Sequence, residues 1–234
     1  TQILTCKTDL LQKAHVLVNA INRLESPHQF YEKIKEKTRL FPQTELNRLL
    51  DRTIDPGDIS KIVSISFHGR SGSILFGTML DGHSRVLHSA ENIVFKVVYS
   101  TEWPSTELPS KYIFDLWVTE VADKLTDPTS PDYLFHGNTQ ANEEQIVQFI
   151  ALFVELASRY RENQNTRGTL FRLCFIAYHA VFGNGQIQTP ATIVFHMHNQ
   201  NVQLARKLAE DFEEVFYITT VRLPEQALSS HLCH

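Results

Sequence analysis

An apolar, β-branched run, Ile62-Val63-Ser64-Ile65, leads through Ser66-Phe67-His68-Gly69-Arg70-Ser71-Gly72-Ser73 into an apolar helical pattern from Ile74 to Leu80. A strand that feeds a glycine-containing turn and then a helix N-terminus commits the chain to an α/β arrangement. It also creates a place for an anion. The first N–H groups of a helix have no partner inside the helix, and the helix dipole adds about half a positive charge there. Gly69 and Gly72 allow the backbone to close on a ligand, Arg70 adds a permanent forked cation, and Ser71 and Ser73 add hydroxyl donors. These residues point to a ligand carrying phosphate or sulfate.

The loop is not an ordinary ATP-binding one. That pattern ends in Gly-Lys-Ser/Thr, and the chain contains no Gly-Lys pair. Arg70-Ser71-Gly72-Ser73 instead resembles the 5′-phosphosulfate loop of sulfotransferases that use 3′-phosphoadenosine-5′-phosphosulfate (PAPS). Ile74 stands where that family usually carries a second hydroxyl residue, leaving its backbone N–H as the donor. Met79-Leu80-Asp81-Gly82-His83-Ser84-Arg85-Val86, followed by Ser89-Ala90-Glu91, is similar to the branch of tyrosylprotein and Golgi carbohydrate sulfotransferases. Ser84 replaces the proline usual there. The resemblance implies that Glu91 is the base.

A second match lies near the C-terminus. Val215-Phe216-Tyr217-Ile218-Thr219-Thr220-Val221 reads as a buried strand, and Arg222-Leu223-Pro224 with Ser230 follows it. The segment resembles the family's 3′-phosphate motif, with Leu223 in place of Asp or Asn, and implies that Arg222 and Ser230 hold a 3′-phosphate. The implied nucleotide-binding set is therefore Gly69, Arg70, Ser71, Gly72, Ser73, Ile74, Arg222 and Ser230, with PAPS as cosubstrate. The family continues beyond this motif, so the C-terminal part of the domain is expected to be missing from this chain.

With 234 residues and 42% hydrophobic content, the chain can bury a full core. A net charge of −4 argues against a general nucleic-acid or heparin surface. Cys6, Cys174 and Cys233 are too far apart for a metal or disulfide pattern, and Cys174 sits in the apolar run Leu173-Cys174-Phe175-Ile176 as an expected core thiol. No apolar run approaches the ~20 residues needed to cross a bilayer. With no visible secretory signal and no Asn-x-Ser/Thr sequon, the expectation is a cytoplasmic protein.

Helical periodicity predicts an N-terminal helical extension over residues 1–57, with a break at Ser26-Pro27, and then an α/β domain over 58–234. Asp55-Pro56-Gly57-Asp58 marks the boundary. The helices of the extension are a candidate surface for homo-oligomerisation. Asn142 with Gln145 forms a capping-box pattern ahead of a long helix, and a second long helix is expected from Gly168 to Phe182, ending at Gly183-Asn184-Gly185. A strand from Ala191 to Met197, a helix from Asn201 to Phe212 and the strand from Val215 complete the order. Alternating strands and helices imply a mostly parallel sheet of P-loop type, flanked by helices.

The chemistry implied is transfer of a sulfuryl group to a hydroxyl acceptor on a small molecule, a carbohydrate or a peptide. Arg70 stabilises the leaving 5′-phosphate, and Glu91 takes the acceptor proton. His196 and His198 lie two apart on a strand, so they share a face and are alternative catalytic candidates. Read structurally, they are a histidine pair at a strand end; two such ligands do not make a metal site. The rival class is a non-catalytic sulfotransferase-like module that binds nucleotide or another protein. A P-loop kinase is disfavoured by the missing Gly-Lys.

Overall fold

A computed structural model of the chain describes residues 27–67, 77, 79–80, 83–88, 99, 142–160, 167–183, 186–198 and 202–220. Two helices come first, α1 (Pro27–Arg39) and α2 (Gln43–Leu50). Helix α1 starts at Pro27, where the missing N–H does no harm, and the helix expected before the Ser26-Pro27 break lies outside the described residues. After a 3₁₀ turn at Pro56–Asp58, in which the Asp55 carboxylate accepts from Gly57 N–H at 2.7 Å, strand β1 runs Ile59–Phe67. Strand β2 is Val86–His88. Helices α3 (Glu143–Arg159) and α4 (Arg167–Phe182) follow, then β3 (Ala191–His198), α5 (Val202–Asp211) and β4 (Val215–Thr220).

The four described strands form one all-parallel sheet in the order β2-β3-β1-β4. The fold is therefore α/β, with helices flanking a parallel sheet. Registered residues of a parallel ladder share a face, so Ile62, Leu87, Ile193, Phe195 and Met197 point to one side, into the main core with α3 and α4. Ile59 joins them although it lies three residues before Ile62. A bulge between Ile59 and Lys61 shifts the alternation and turns both isoleucines inward. Phe171 of α4 is the centre of this core, edge-on to Phe195 at 5.3 Å and to Phe175 at 5.0 Å.

Local signals set the helix ends. The Asn142 side chain accepts from Gln145 N–H at 2.8 Å, and the Gln145 side chain accepts from Asn142 N–H at 3.0 Å, so the capping box forms in full. Helix α4 stops at Gly183, whose N–H donates to the His179 carbonyl at 2.8 Å; a Cβ at Gly183 would stand 2.4 Å from that oxygen. Cys174 is fully buried, as expected, and burial pushes its thiol well above the ordinary range. Ile34, Leu46 and Leu49 of α1 and α2 belong to the same apolar cluster as the sheet. Lys33 (2.6 Å) and Lys37 both bridge Glu143, holding its carboxylate below the usual range.

Strand β4 corrects one expectation. It reads as a buried strand, yet Phe216, Tyr217 and Ile218 are 46%, 45% and 40% exposed. Among the described residues β4 is the edge of the sheet and pairs only with β1. A β-branched and aromatic sequence specifies a strand but not its place in the sheet.

A part-buried ion pair ties α4 to α5. Arg167 donates to Asp211 at 2.6 and 3.2 Å and to the Lys207 carbonyl at 3.0 Å, and its guanidinium lies 5.1 Å from the Tyr99 ring centre. Burial, and then the Asp211 carboxylate, push the Tyr99 phenol well above its ordinary value. Removing one partner of a part-buried pair leaves the other charge only partly solvated. Arg167→Met is expected to lower unfolding free energy by about 2 kcal/mol in urea titration, between the ranges of exposed and buried pairs. A loss below about 1 kcal/mol, the range of exposed pairs, would show that water solvates Asp211 as well as the guanidinium does.

Candidate functional site

The connections around the sheet define its ligand edge. From β1 the chain steps past β3 to reach β2; from β2 to β3 and from β3 to β4 it steps the opposite way. Opposite steps with one crossover hand require helices on opposite faces. Gly77, a helical residue on the β1–β2 connection, lies over the face of His88 and His196, whereas α3, α4 and α5 cover the other. Neighbouring strands β1 and β3 therefore send their connections to opposite faces. The crevice outside their carboxyl ends is a topological switch point, where open α/β sheets bind ligands.

Three strand ends meet there. Phe67 is in register with His198 on one side and with Thr220 on the other. Arg70 lies three residues beyond Phe67, and Arg222 two residues beyond Thr220. Both expected phosphate-binding segments thus start from neighbouring strands, about 4.8 Å apart. Gly69, Arg70, Ser71, Gly72, Ser73, Ile74, Glu91, Arg222 and Ser230 themselves lie outside the described residues.

The histidines are placed in part. His196 is on β3 and only 3% exposed, and its ring stands 5.3 Å from that of His88 at an interplanar angle of 68°. His88, the last residue of β2, is equally buried. It is in register with Val194, so it shares the face of His196. The His198 backbone ends β3, and its side chain lies outside the described residues. An ideal Cβ built on Gly77 would stand 2.8 Å from both Cε1 and Nε2 of His196 and 2.9 Å from Nε2 of His88. Real Cβ atoms do not come that close, so only glycine fits between these rings and the helix at residue 77.

Sequence reading singled out His196 and His198 but passed over His88 and Gly77. A glycine inside the apolar helical pattern Ile74 to Leu80 is the signal that was available, because a helix tolerates one at a cost and usually for a packing reason. Among the described residues, no group of three or more His, Cys, Asp or Glu is placed to hold a metal ion. No described helix is long and apolar enough to cross a membrane. No family model, no curated protein and no solved structure matches the chain.

Proposed function

We propose that the chain is a PAPS-dependent sulfotransferase-like domain that transfers a sulfuryl group to a hydroxyl acceptor. The observation that carries the reading is the register of Phe67 with Thr220. In the sequence, the segment carrying Arg70-Ser71-Gly72-Ser73 and the segment carrying Arg222 and Ser230 follow these two strand ends, which supports the reading. A ligand with two phosphate groups needs two cationic segments that leave one edge of a sheet side by side, and the donor set suits both groups. Arg70, Ser71, Ser73 and the backbone N–H groups through Ile74 would hold the 5′ side, and Arg222 and Ser230 the 3′ side.

PAPS supplies the sulfuryl group, and 3′-phosphoadenosine-5′-phosphate is the product. On the protein side, Arg70 offsets the negative charge that grows on the departing 5′-phosphate. Glu91 takes the proton of the acceptor hydroxyl as its oxygen bonds to sulfur. Acceptors in this reading are hydroxyls of a small molecule, a carbohydrate or a peptide.

Calorimetry tests the nucleotide directly. A charge-assisted phosphate contact contributes about 1.5–3 kcal/mol, so 3′-phosphoadenosine-5′-phosphate is expected to bind at least about tenfold more tightly than AMP. Equal affinities for the two nucleotides would remove the 3′-phosphate site and the reading with it.

A further inference from the structure

We propose that Arg172 on α4 binds a small oxyanion of the phosphate or sulfate type, at a site separate from the crevice outside the carboxyl ends of β1 and β3. The site involves none of the segments expected to hold the nucleotide.

Two arginines lie five positions apart on α4 and are partnered differently. Arg167 donates to Asp211 and to the Lys207 carbonyl. Arg172 is part-buried, and no carboxylate among the described residues pairs with it. Its Nε is buried and has no hydrogen-bond partner among the described residues. Tyr99 is close enough to act on its charge, but that phenol is held well above its ordinary value and stays neutral. It cannot serve as a counter-ion. Burial accordingly pushes the Arg172 guanidinium below its usual pKa. A charge taken partly out of water without a counter-charge costs stability, so an arginine kept there calls for an anion.

The guanidinium is held ready for one. Its carbon stands 4.7 Å from the ring centre of Phe212, and that ring packs 5.9 Å from Phe171 in the core. Stacking uses the flat face of the guanidinium. Its N–H donors lie in the plane and match two oxygens of a phosphate or sulfate. The terminal nitrogens make no hydrogen bond among the described residues and are not buried, so an anion can reach them from solvent. A ring fixed in the core orders the fork before the ligand arrives, which lowers the cost of binding.

Phe212 is three residues before Val215, the first residue of β4, and Thr220 at the other end of that strand is in register with Phe67. At about 3.3 Å per residue, the Phe212 end of β4 is about 17 Å from the carboxyl edge. Arg172 therefore belongs to the amino edge of the sheet, away from the crevice.

The experiment follows the thermal midpoint of the whole chain and of Arg172→Met, Arg172→Lys and Arg70→Ala. Each is melted in chloride buffer and in inorganic phosphate at equal ionic strength. In chloride, Arg172→Met is expected to melt about 2–4 °C above wild type, because methionine packs on Phe212 with no charge to desolvate. Phosphate at about ten times its Kd is expected to raise the wild-type midpoint by about 3 °C more than that of Arg172→Met. The difference is what is read, since excluded phosphate stabilises any fold a little. Arg172→Lys should keep only part of that difference, because a point charge lacks the fork. Arg70→Ala should keep all of it.

A midpoint of Arg172→Met below wild type in chloride would show that a carboxylate of the chain already pairs with Arg172, and would overturn the site. Equal phosphate shifts in wild type and Arg172→Met would overturn it as well. A shift that survives in Arg172→Met and is lost in Arg70→Ala would assign the anion to the expected nucleotide segment instead.

Discussion

Arg70→Ala is expected to lower sulfuryl transfer by about 10³ or more, the scale on which a guanidinium at a transferring group acts. The charge it offsets is small on the bound donor and large on the departing 5′-phosphate, so the loss should fall more heavily on kcat than on nucleotide affinity. Lysine cannot restore the full effect, because it replaces a planar fork of donors with a point charge. Arg70→Lys should therefore recover only part of the rate. The thermal midpoint is expected to stay close to wild type, since on the proposed reading Arg70 serves an anion and not the packing of the core. A large drop in midpoint with nucleotide affinity intact would identify Arg70 as a structural ion-pair partner and take the reaction away from this segment.

The fold was legible wherever local chemistry decides structure. Asn142 and Gln145 specify their helix start through a reciprocal pair of hydrogen bonds three residues apart. Gly183 ends α4 because nothing larger fits beside the His179 carbonyl. The alternation of strands with helices is sufficient for a parallel sheet, and all four described strands are parallel. What the sequence could not supply was lateral order. Strand β4 has the residues of a buried strand and lies at an edge among the described strands, because edge or centre is settled by the neighbours a strand acquires. For the same reason His88 was invisible beside His196. The two are more than a hundred positions apart, and only the placement of β2 next to β3 brings their rings together. The motif residues expected at the site lie outside the described residues, and what the structure adds is the registered ends of β1, β3 and β4 from which the chain continues into those segments.

Burial separates the candidates for the base. A general base must reach the acceptor hydroxyl directly or through one water. His196 is 3% exposed and its ring edge is occupied by Gly77 and His88, so it is built into the packing beneath the helix. His196→Ala is therefore expected to act first on stability, lowering the thermal midpoint, and not as the selective loss of a base. Glu91 is expected to behave differently. It follows His88, the last residue of β2, by three positions in the sequence. Glu91→Gln keeps the shape of the side chain and removes its capacity to take a proton, so turnover should fall by about 10²–10⁴. Nucleotide affinity should be unchanged, because the acceptor proton is not in play until transfer begins. The pH profile gives an independent reading: the acidic limb of kcat, set by a base that must be deprotonated, should be present in the wild type and absent from the residual rate of Glu91→Gln. Full activity in Glu91→Gln, with loss in His198→Ala at unchanged nucleotide affinity, would move the proton to the histidine strand. A wild type that binds the bisphosphate yet transfers to no sugar, tyrosine or small-alcohol acceptor would leave the nucleotide site standing and make the domain a non-catalytic binding module.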